Sequence, residues 1–418
     1  VFVVNDTTQV LQPIRYMEDG MSPTLEGHPH IYLKIPDEMH VFWAQSLTGD
    51  SVQVTDQTGD FIPINSFELL NSTVLYIDLN IDSSWTEHDT IVISNLKIDG
   101  FEFPTEGPVS FLLSVLDSSN YHDEDTNSVQ IGRPRLALTQ NNTFLYNDVA
   151  SVIRDIIIYE DSLVTTITKE EGILLMLPEG FSGQWVIPEN WMIPDSLNTN
   201  GSYDKNNIDS LVIISPDTLK LVLSQDFDSQ DSLIIYNLMV GEFNNTSYES
   251  NSLKLSVNGE TTNFPHYQTD NTNWLKIGRP DIEMEYVDIL LGNDNSVLLP
   301  PINITEDLYA PVIDSSRGFI ALILPKNTGI EWDTSIPIVE LGGTAGSRVS
   351  PIPDYDSNMV SFEIKESFSI GDSVSIYGLY LMPPSDLVDS ALIALSLNGG
   401  TTDCDSTSKK IRVGILTF

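Results

Sequence analysis

Positive charge is scarce in this chain. Its 418 residues hold 19 Lys and Arg against 60 Asp and Glu, a net charge of −41. A surface this acidic repels nucleic-acid phosphates and anionic lipid, so DNA, RNA and membrane-surface partners are disfavoured. It tolerates high salt and can collect cations. Cysteine is scarcer still: the single Cys404, in Asp403-Cys404-Asp405, cannot form an internal disulfide. Its flanking carboxylates are expected to raise the thiol pKa and make it a poor nucleophile. Long apolar runs are missing too, so no transmembrane helix is expected. Four of the six histidines, His28, His30, His40 and His88, have no counterparts in the later units and no acidic partners at ligand spacing. Nucleophile elbows, phosphate-binding loops, dinucleotide fingerprints, His-Glu-x-x-His and Cys-x-x-Cys are all absent. No enzyme is expected.

What the chain does have is a stretch written three times. Ser128-Val-Gln-Ile-Gly-Arg-Pro134 returns as Trp274-Leu-Lys-Ile-Gly-Arg-Pro280 and, weakened, as Lys410-Ile-Arg-Val-Gly-Ile-Leu416. Other landmarks keep step with it. An acidic pair ends an apolar segment at Glu18-Asp19, Glu160-Asp161 and Glu306-Asp307. A strand runs into Pro36, Pro178 and Pro325, and a tryptophan follows seven residues later at Trp43, Trp185 and Trp332. An Asp opens an apolar strand at Asp89, Asp231 and Asp372. Ordered landmarks in three copies mark an internal repeat. The expected units are residues 1–132, 133–278 and 279–418, each of roughly 140 residues, an ordinary domain size.

Within the second unit the sequence breaks into about eight short segments rich in Ile, Val, Leu and Tyr, bounded by Asn, Asp, Gly, Ser and Pro. Leu219, Leu221 and Leu223 alternate with period two, as do Leu253, Leu255 and Val257. The best helix candidate, residues 140–155, is broken by Asn-Asn-Thr and Asn-Asp. Short strands without intervening helices specify an all-β chain of three tandem Ig-like antiparallel β-sandwiches, rod-like because almost no residues separate the units. Loops are expected over residues 188–210.

At the junctions, Gly132 and Gly278 suggest a close backbone approach, and Pro134 and Pro280 mark where the strand leaves its sheet. Arg133 and Arg279 are expected to hold carboxylates of a neighbouring unit, with exposed linker charges as the alternative. The repeated Glu-Asp pairs read as turn formers or as partners of those arginines. The tryptophans read as packing at the sandwich edge rather than as sugar platforms. Asp117, Asp123, Glu124 and Asp125, with Asp403 and Asp405 in the third unit, form acidic loops suited to the oxygen-rich coordination of Ca²⁺, with a solvated loop as the alternative.

The ends carry one more expectation. Val1-Phe2-Val3-Val4 aligns with Thr143–Tyr146, so the first unit lacks an opening strand. At the other end Ile411, Val413, Ile415 and Phe418 read as a spare strand that completes the first unit of another molecule, giving a head-to-tail homopolymer. Val1 is not a start residue, so the alternative is a segment of a longer chain whose flanking repeats supply both neighbours.

On the Ile-Gly-Arg-Pro junctions, the Glu-Asp strand ends and the acidic composition, the whole chain resembles tandem Ig-like β-sandwich repeats of large bacterial or archaeal cell-surface and secreted proteins. That resemblance implies an extracellular role as filament, sheath or surface-layer subunit, or alternatively as an adhesin or glycan-binding stalk.

Overall fold

The computed structural model describes residues 1–17, 29–80, 89–115, 123–189, 199–257, 259, 268–269, 273–285, 289–291, 296–356, 358–384, 388–397 and 402–414. The chain is nearly all β, with short 3-10 turns and no α-helix among these residues. Residues 140–155 contain two strands, Asn142–Leu145 and Ala150–Val152, in place of a helix. In the stretch expected to be loop, Thr199–Gly201 pairs with Ser232–Ile235.

Three clusters of buried side chains follow the sequence. One runs from Val4 to Ile131, one from Leu136 to Ile277, and one from Ile282 to Val413. Leu145 belongs to the last of these, so the second stretch reaches into the third. Each cluster has a five-stranded sheet around an inner strand, such as Ile173–Met176, whose four residues are all buried. Its neighbour Thr218–Leu223 shows the period-two pattern: Leu219, Leu221 and Leu223 are buried and Lys220 and Val222 less so. Buried apolar residues on both sides of an inner strand and on one side of its neighbour are what packs two sheets face to face.

Facing it is a second sheet. In the second stretch its order is Arg135–Leu138, Ile156–Tyr159, Ser232–Ile235, Thr199–Gly201; in the third it is Asp281–Met284, Ile302–Thr305, Ser373–Tyr377, Glu340–Gly342. In the first it has three strands among the described residues, Ile14–Met17, Thr90–Ser94 and Gln53–Asp56, with Ile14–Met17 at the edge.

The sandwiches are not wholly antiparallel. Phe2–Val3 pairs in parallel with Ile131–Gly132, Asn142–Leu145 with Leu275–Gly278, and Ile289–Leu291 with Ile411–Gly414. An early strand of each stretch is thereby bound to the strand that ends that stretch. This corrects the expectation of a spare strand at the end. Ile411 and Val413 are buried, and their strand lies between Ile289–Leu291 and Val388–Ala391. Phe2 and Val3 are likewise paired, so residues 1–4 are not the open edge. Ile415 and Phe418 lie outside the described residues.

Each tryptophan closes a hairpin. The indole N–H of Trp43 donates to Thr73 O at 3.0 Å, that of Trp185 to Asp217 O at 3.0 Å and that of Trp332 to Asn358 O at 3.2 Å. All three rings are buried, which removes them as sugar platforms.

Candidate functional site: the junctions between repeats

The two junctions share one construction, and the acidic pair is its centre. Glu160 is buried, and its carboxylate accepts from the backbone N–H of Asp161 (2.7 Å), Thr166 (2.9 Å) and Ile167 (2.7 Å). Asp161 accepts from the N–H of Leu163 (2.8 Å) and Val164 (3.3 Å) with one oxygen. Its other oxygen accepts the N–H of Arg133 at 2.8 Å. At the second junction Glu306 accepts from Asp307 N (2.7 Å) and Ile313 N (2.6 Å), and Asp307 from Tyr309 N (2.7 Å) and Ala310 N (2.9 Å). Asp307 then takes the N–H of Arg279 at 2.9 Å.

The pair therefore folds a loop onto itself and uses one remaining lone pair to hold the incoming chain. An apolar side chain would leave several buried N–H groups unpaired, each costing about 1–3 kcal/mol. Burial sets the price of this arrangement. Removal from water pushes the Glu306 carboxyl up to about 7, against the pull of its N–H donors, and shifts Glu160 in the same direction for the same cause.

The loop so formed packs on the junction glycine. A Cβ placed on Gly132 would lie 2.3 Å from Thr166 Cγ2 and 2.7 Å from Val164 Cγ1. On Gly278 it would lie 1.9 Å from the carbonyl oxygen of Ala310. The glycine carbonyls complete the joint by accepting from Val4 N and Tyr146 N, each at 2.9 Å. Glycine stands there because no Cβ fits: at Gly278 the obstacle is backbone, at Gly132 it is side chains.

The arginine side chains behave differently from each other and from expectation. Among the described residues the Arg133 guanidinium reaches no carboxylate; its Nη2 donates to the backbone oxygen of Glu102 at 2.9 Å. The Arg279 guanidinium pairs with Asp405 at 2.5 Å and lies over the Tyr146 ring, 5.0 Å from its centre. Asp405 also accepts Ile282 N at 3.0 Å. It is the main chain of the arginine, not its charge, that the two junctions have in common. Pro134 and Pro280 follow directly, each just before the opening strand of the next sheet.

Further contacts occur at the second junction. Tyr248 donates to Asp307 at 3.0 Å and its ring meets that of Tyr309. Asn147 Nδ2 donates to Asp403 O at 3.1 Å, Thr402 Oγ1 to Asp148 at 3.2 Å, and Arg317 lies 3.6 Å from Asp148. Asn147 reaches Asp403 from a left-handed turn, a conformation asparagine tolerates.

Of the acidic residues considered for Ca²⁺, Asp405 pairs with Arg279 and accepts Ile282 N. Asp403 shares its strand without a third carboxylate beside it; among the described residues no group of three or more His, Cys, Asp or Glu is gathered. Asp117 lies outside the described residues, and Asp123, Glu124 and Asp125 begin the strand Asp123–Val129, where only the backbone is described. Cys404 points into the third core, and its thiol is pushed up to about 12, first by burial and only then by the neighbouring carboxylates. The junction aspartates were legible as a repeat, but their target was not: nothing in the sequence separates binding a guanidinium from binding the N–H of the same residue.

No family model matches the chain, and no curated protein does. Among solved structures it is similar to the C-terminal domain of the antigen I/II-family protein AspA of Streptococcus pyogenes, at 8% identity and TM-score 0.31, over 68% of this chain and 99% of that one. It is also similar to FdeC, an Escherichia coli adhesin, at 7% identity and TM-score 0.21, over 99% and 100% of the two chains. A third is a membrane-anchored protein of Corynebacterium diphtheriae, at 11% identity and TM-score 0.20, over 100% and 91%. At scores this low the function has to be read from the chain itself.

Proposed function

We propose that the chain is an extracellular structural protein. It serves as a subunit or spacer of a cell-surface filament, sheath or surface layer, with three sandwich units, residues 1–132, 133–278 and 279–418, set end to end. The observation that carries this reading is the repeated joint. Both junctions fix the linking backbone twice, by Asp on the arginine N–H and by a loop packed on the glycine. Such a joint has no use in a chain of independent binding beads, but it transmits orientation along an array. The acidic, cysteine-poor composition suits an exposed exterior, and no helix among the described residues is long and apolar enough to cross a membrane. Small-angle scattering tests it. A single long dimension that stays fixed between low and high salt is expected; a broad distribution of dimensions, as from freely jointed units, rejects the reading.

Calcium belongs to the same proposal, with Asp117, Asp123, Glu124 and Asp125, and Asp403 and Asp405, as its candidate ligands. Millimolar Ca²⁺ raises the melting temperature more than Mg²⁺ or NaCl of equal ionic strength, and Asp123→Asn with Asp125→Asn abolishes the difference. Equal shifts from all three salts reduce the effect to screening.

A second reading, an adhesin or glycan-binding stalk, is favoured by one place. A cleft of about 890 Å³ is lined by Asp37, Glu38, His40, Phe103 and Pro104, with Phe103 about half exposed. An open aromatic face beside carboxylates suits sugar stacking. Saturable glycan binding lost on Phe103→Ala selects this reading.

A further inference from the structure

Two of the chain's few cations break the repeat. Arg154 stands six residues before Glu160, where Gln12 and Pro300 stand six before Glu18 and Glu306. Arg317 stands eight residues before Pro325, where Glu170 and His28 stand eight before Pro178 and Pro36. Neither arginine therefore belongs to the scaffold that the units share. They come from different units, yet both line one cleft of about 670 Å³ at the second junction. Arg154 lies just after the strand Ala150–Val152, and Arg317 closes the short turn Ser315–Arg317.

The wall of this cleft is set by its own hydrogen bonds. Buried Asn142 accepts the N–H of Arg154 at 2.8 Å and donates its Nδ2 to Gln140 O at 3.1 Å, which fixes the backbone that carries Arg154. The Arg317 side chain is only 10% exposed and lies 3.6 Å from Asp148 and 3.8 Å from Asp314. Asp148 is itself held by Val149 N at 3.1 Å, Ser151 Oγ at 3.1 Å and Thr402 Oγ1 at 3.2 Å. The groups that face the cleft are thus positioned before any ligand arrives, as is usual for small-molecule sites, and its volume lies in their range.

The chemistry of the wall selects the ligand. Arg154 and Arg317 face it together with Asp148, Asp155 and Asp314. A simple anion meets the aspartates and a simple cation meets the arginines, so neither sign of charge is favoured. A hydroxyl both donates and accepts, whereas a guanidinium only donates and a carboxylate only accepts. Alternating guanidinium and carboxylate groups therefore satisfy a row of hydroxyls. The half-buried Tyr236 adds an aromatic ring with a polar tip to the same wall. We propose that this cleft binds a short neutral oligosaccharide across the second junction, its hydroxyls bridging Arg154 of one unit and Arg317 and Asp314 of the next. The site goes beyond both readings given above: it is distinct from the cleft at Phe103 and needs only an ordered second junction.

The probe is an array of neutral and acidic oligosaccharides exposed to the labelled full chain. The neutral glycan of strongest signal is then titrated by calorimetry, with hydrogen exchange to locate it. Saturable binding is expected, with new protection over residues 150–155 and 314–317. Arg154→Ala, at an exposed position, weakens it about tenfold, the loss of one hydrogen bond to a charged group. Asp155→Ala weakens it as well, because the acceptors matter as much as the donors. No saturable binding to any neutral glycan overturns the proposal. Binding confined to acidic glycans does so too, since the arginines then form an anion site. Binding that survives Arg154→Ala but is lost in Phe103→Ala also overturns it, and leaves the adhesin reading at the other cleft standing.

Discussion

Gly278 and Ala310 meet backbone to backbone: a Cβ on the glycine would lie 1.9 Å from the alanine carbonyl oxygen. Overpacking against side chains costs typically about 1–3 kcal/mol because rotamers give way, but a carbonyl fixed by its own loop does not turn aside. Gly278→Ala is therefore expected to cost more than Gly132→Ala, where the obstacles are methyl groups of Thr166 and Val164. Thermal melts of the two variants check the order. Equal small losses would mean that the second joint is looser than its geometry.

The two junction residues Asp307 and Arg279 separate main-chain pinning from charge pairing. Asp307→Ala leaves Arg279 N, Tyr309 N and Ala310 N without their acceptor, and a loss of about 2–4 kcal/mol is expected. Arg279→Ala keeps its N–H and forfeits a pair whose arginine is half exposed, for about 1 kcal/mol or less. Arg133→Ala, which removes a donor to the backbone oxygen of Glu102 and, among the described residues, no carboxylate pair, is expected to leave the joint intact. Scattering profiles that broaden for Asp307→Ala and not for either arginine variant are the expected result; the reverse order would return the joint to the guanidinium.

Acid is expected to stabilise this protein over a defined window. The folded-state pKa of Glu306 is about 7, above its ordinary 4.5, because burial disfavours the charged form. Folding therefore takes up a proton between those values, and stability falls as pH rises from about 4.5 through about 7. Two and a half pKa units correspond to about 3 kcal/mol as an upper figure. Glu160 acts in the same direction, as does relief of self-repulsion at net charge −41. Unfolding free energies at pH 5 should exceed those at pH 8, and Glu306→Gln, less stable overall, should show a shallower slope. An unchanged slope in the variant would assign the effect to net charge alone.

Repeat, strand and sandwich were legible in the sequence because period-two burial and turn chemistry are local. Leu219, Leu221 and Leu223 announce their buried face without reference to the rest of the chain. The roles of Asp161 and Asp307 were not legible in this way, since a hydrogen bond to a backbone N–H leaves no trace in the identity of the residue that donates it. The tail was misread for a related reason. Ile411 and Val413 look spare while consecutive strands are assumed to pair with one another, but Phe2–Val3, Asn142–Leu145 and Ile289–Leu291 each pair in parallel with a strand more than a hundred residues later. A sequence period does not reveal such a closure.

The five-stranded sheet of the second stretch ends on Ile208–Ser215, whose Val212, Ile213 and Ile214 are 41%, 41% and 50% exposed. The corresponding edges differ: Ile64–Leu69 includes Asn65, Ser66 and Glu68, and Asp354–Asp356 carries two carboxylates. Charges on an edge oppose pairing with another molecule, and a bare apolar edge invites it. At low salt, net charge −41 keeps copies apart. With a Debye length of about 3 Å at 1 M salt that protection is gone. Self-association is therefore expected to grow with NaCl, opposite to the behaviour of a contact made by ion pairs. Ile213→Lys is expected to suppress it with less than about 0.5 kcal/mol change in stability, as for an exposed site. Light scattering across a salt series checks both effects. Association that weakens with salt, or persists at full strength in the lysine variant, would place the contact elsewhere on the molecule.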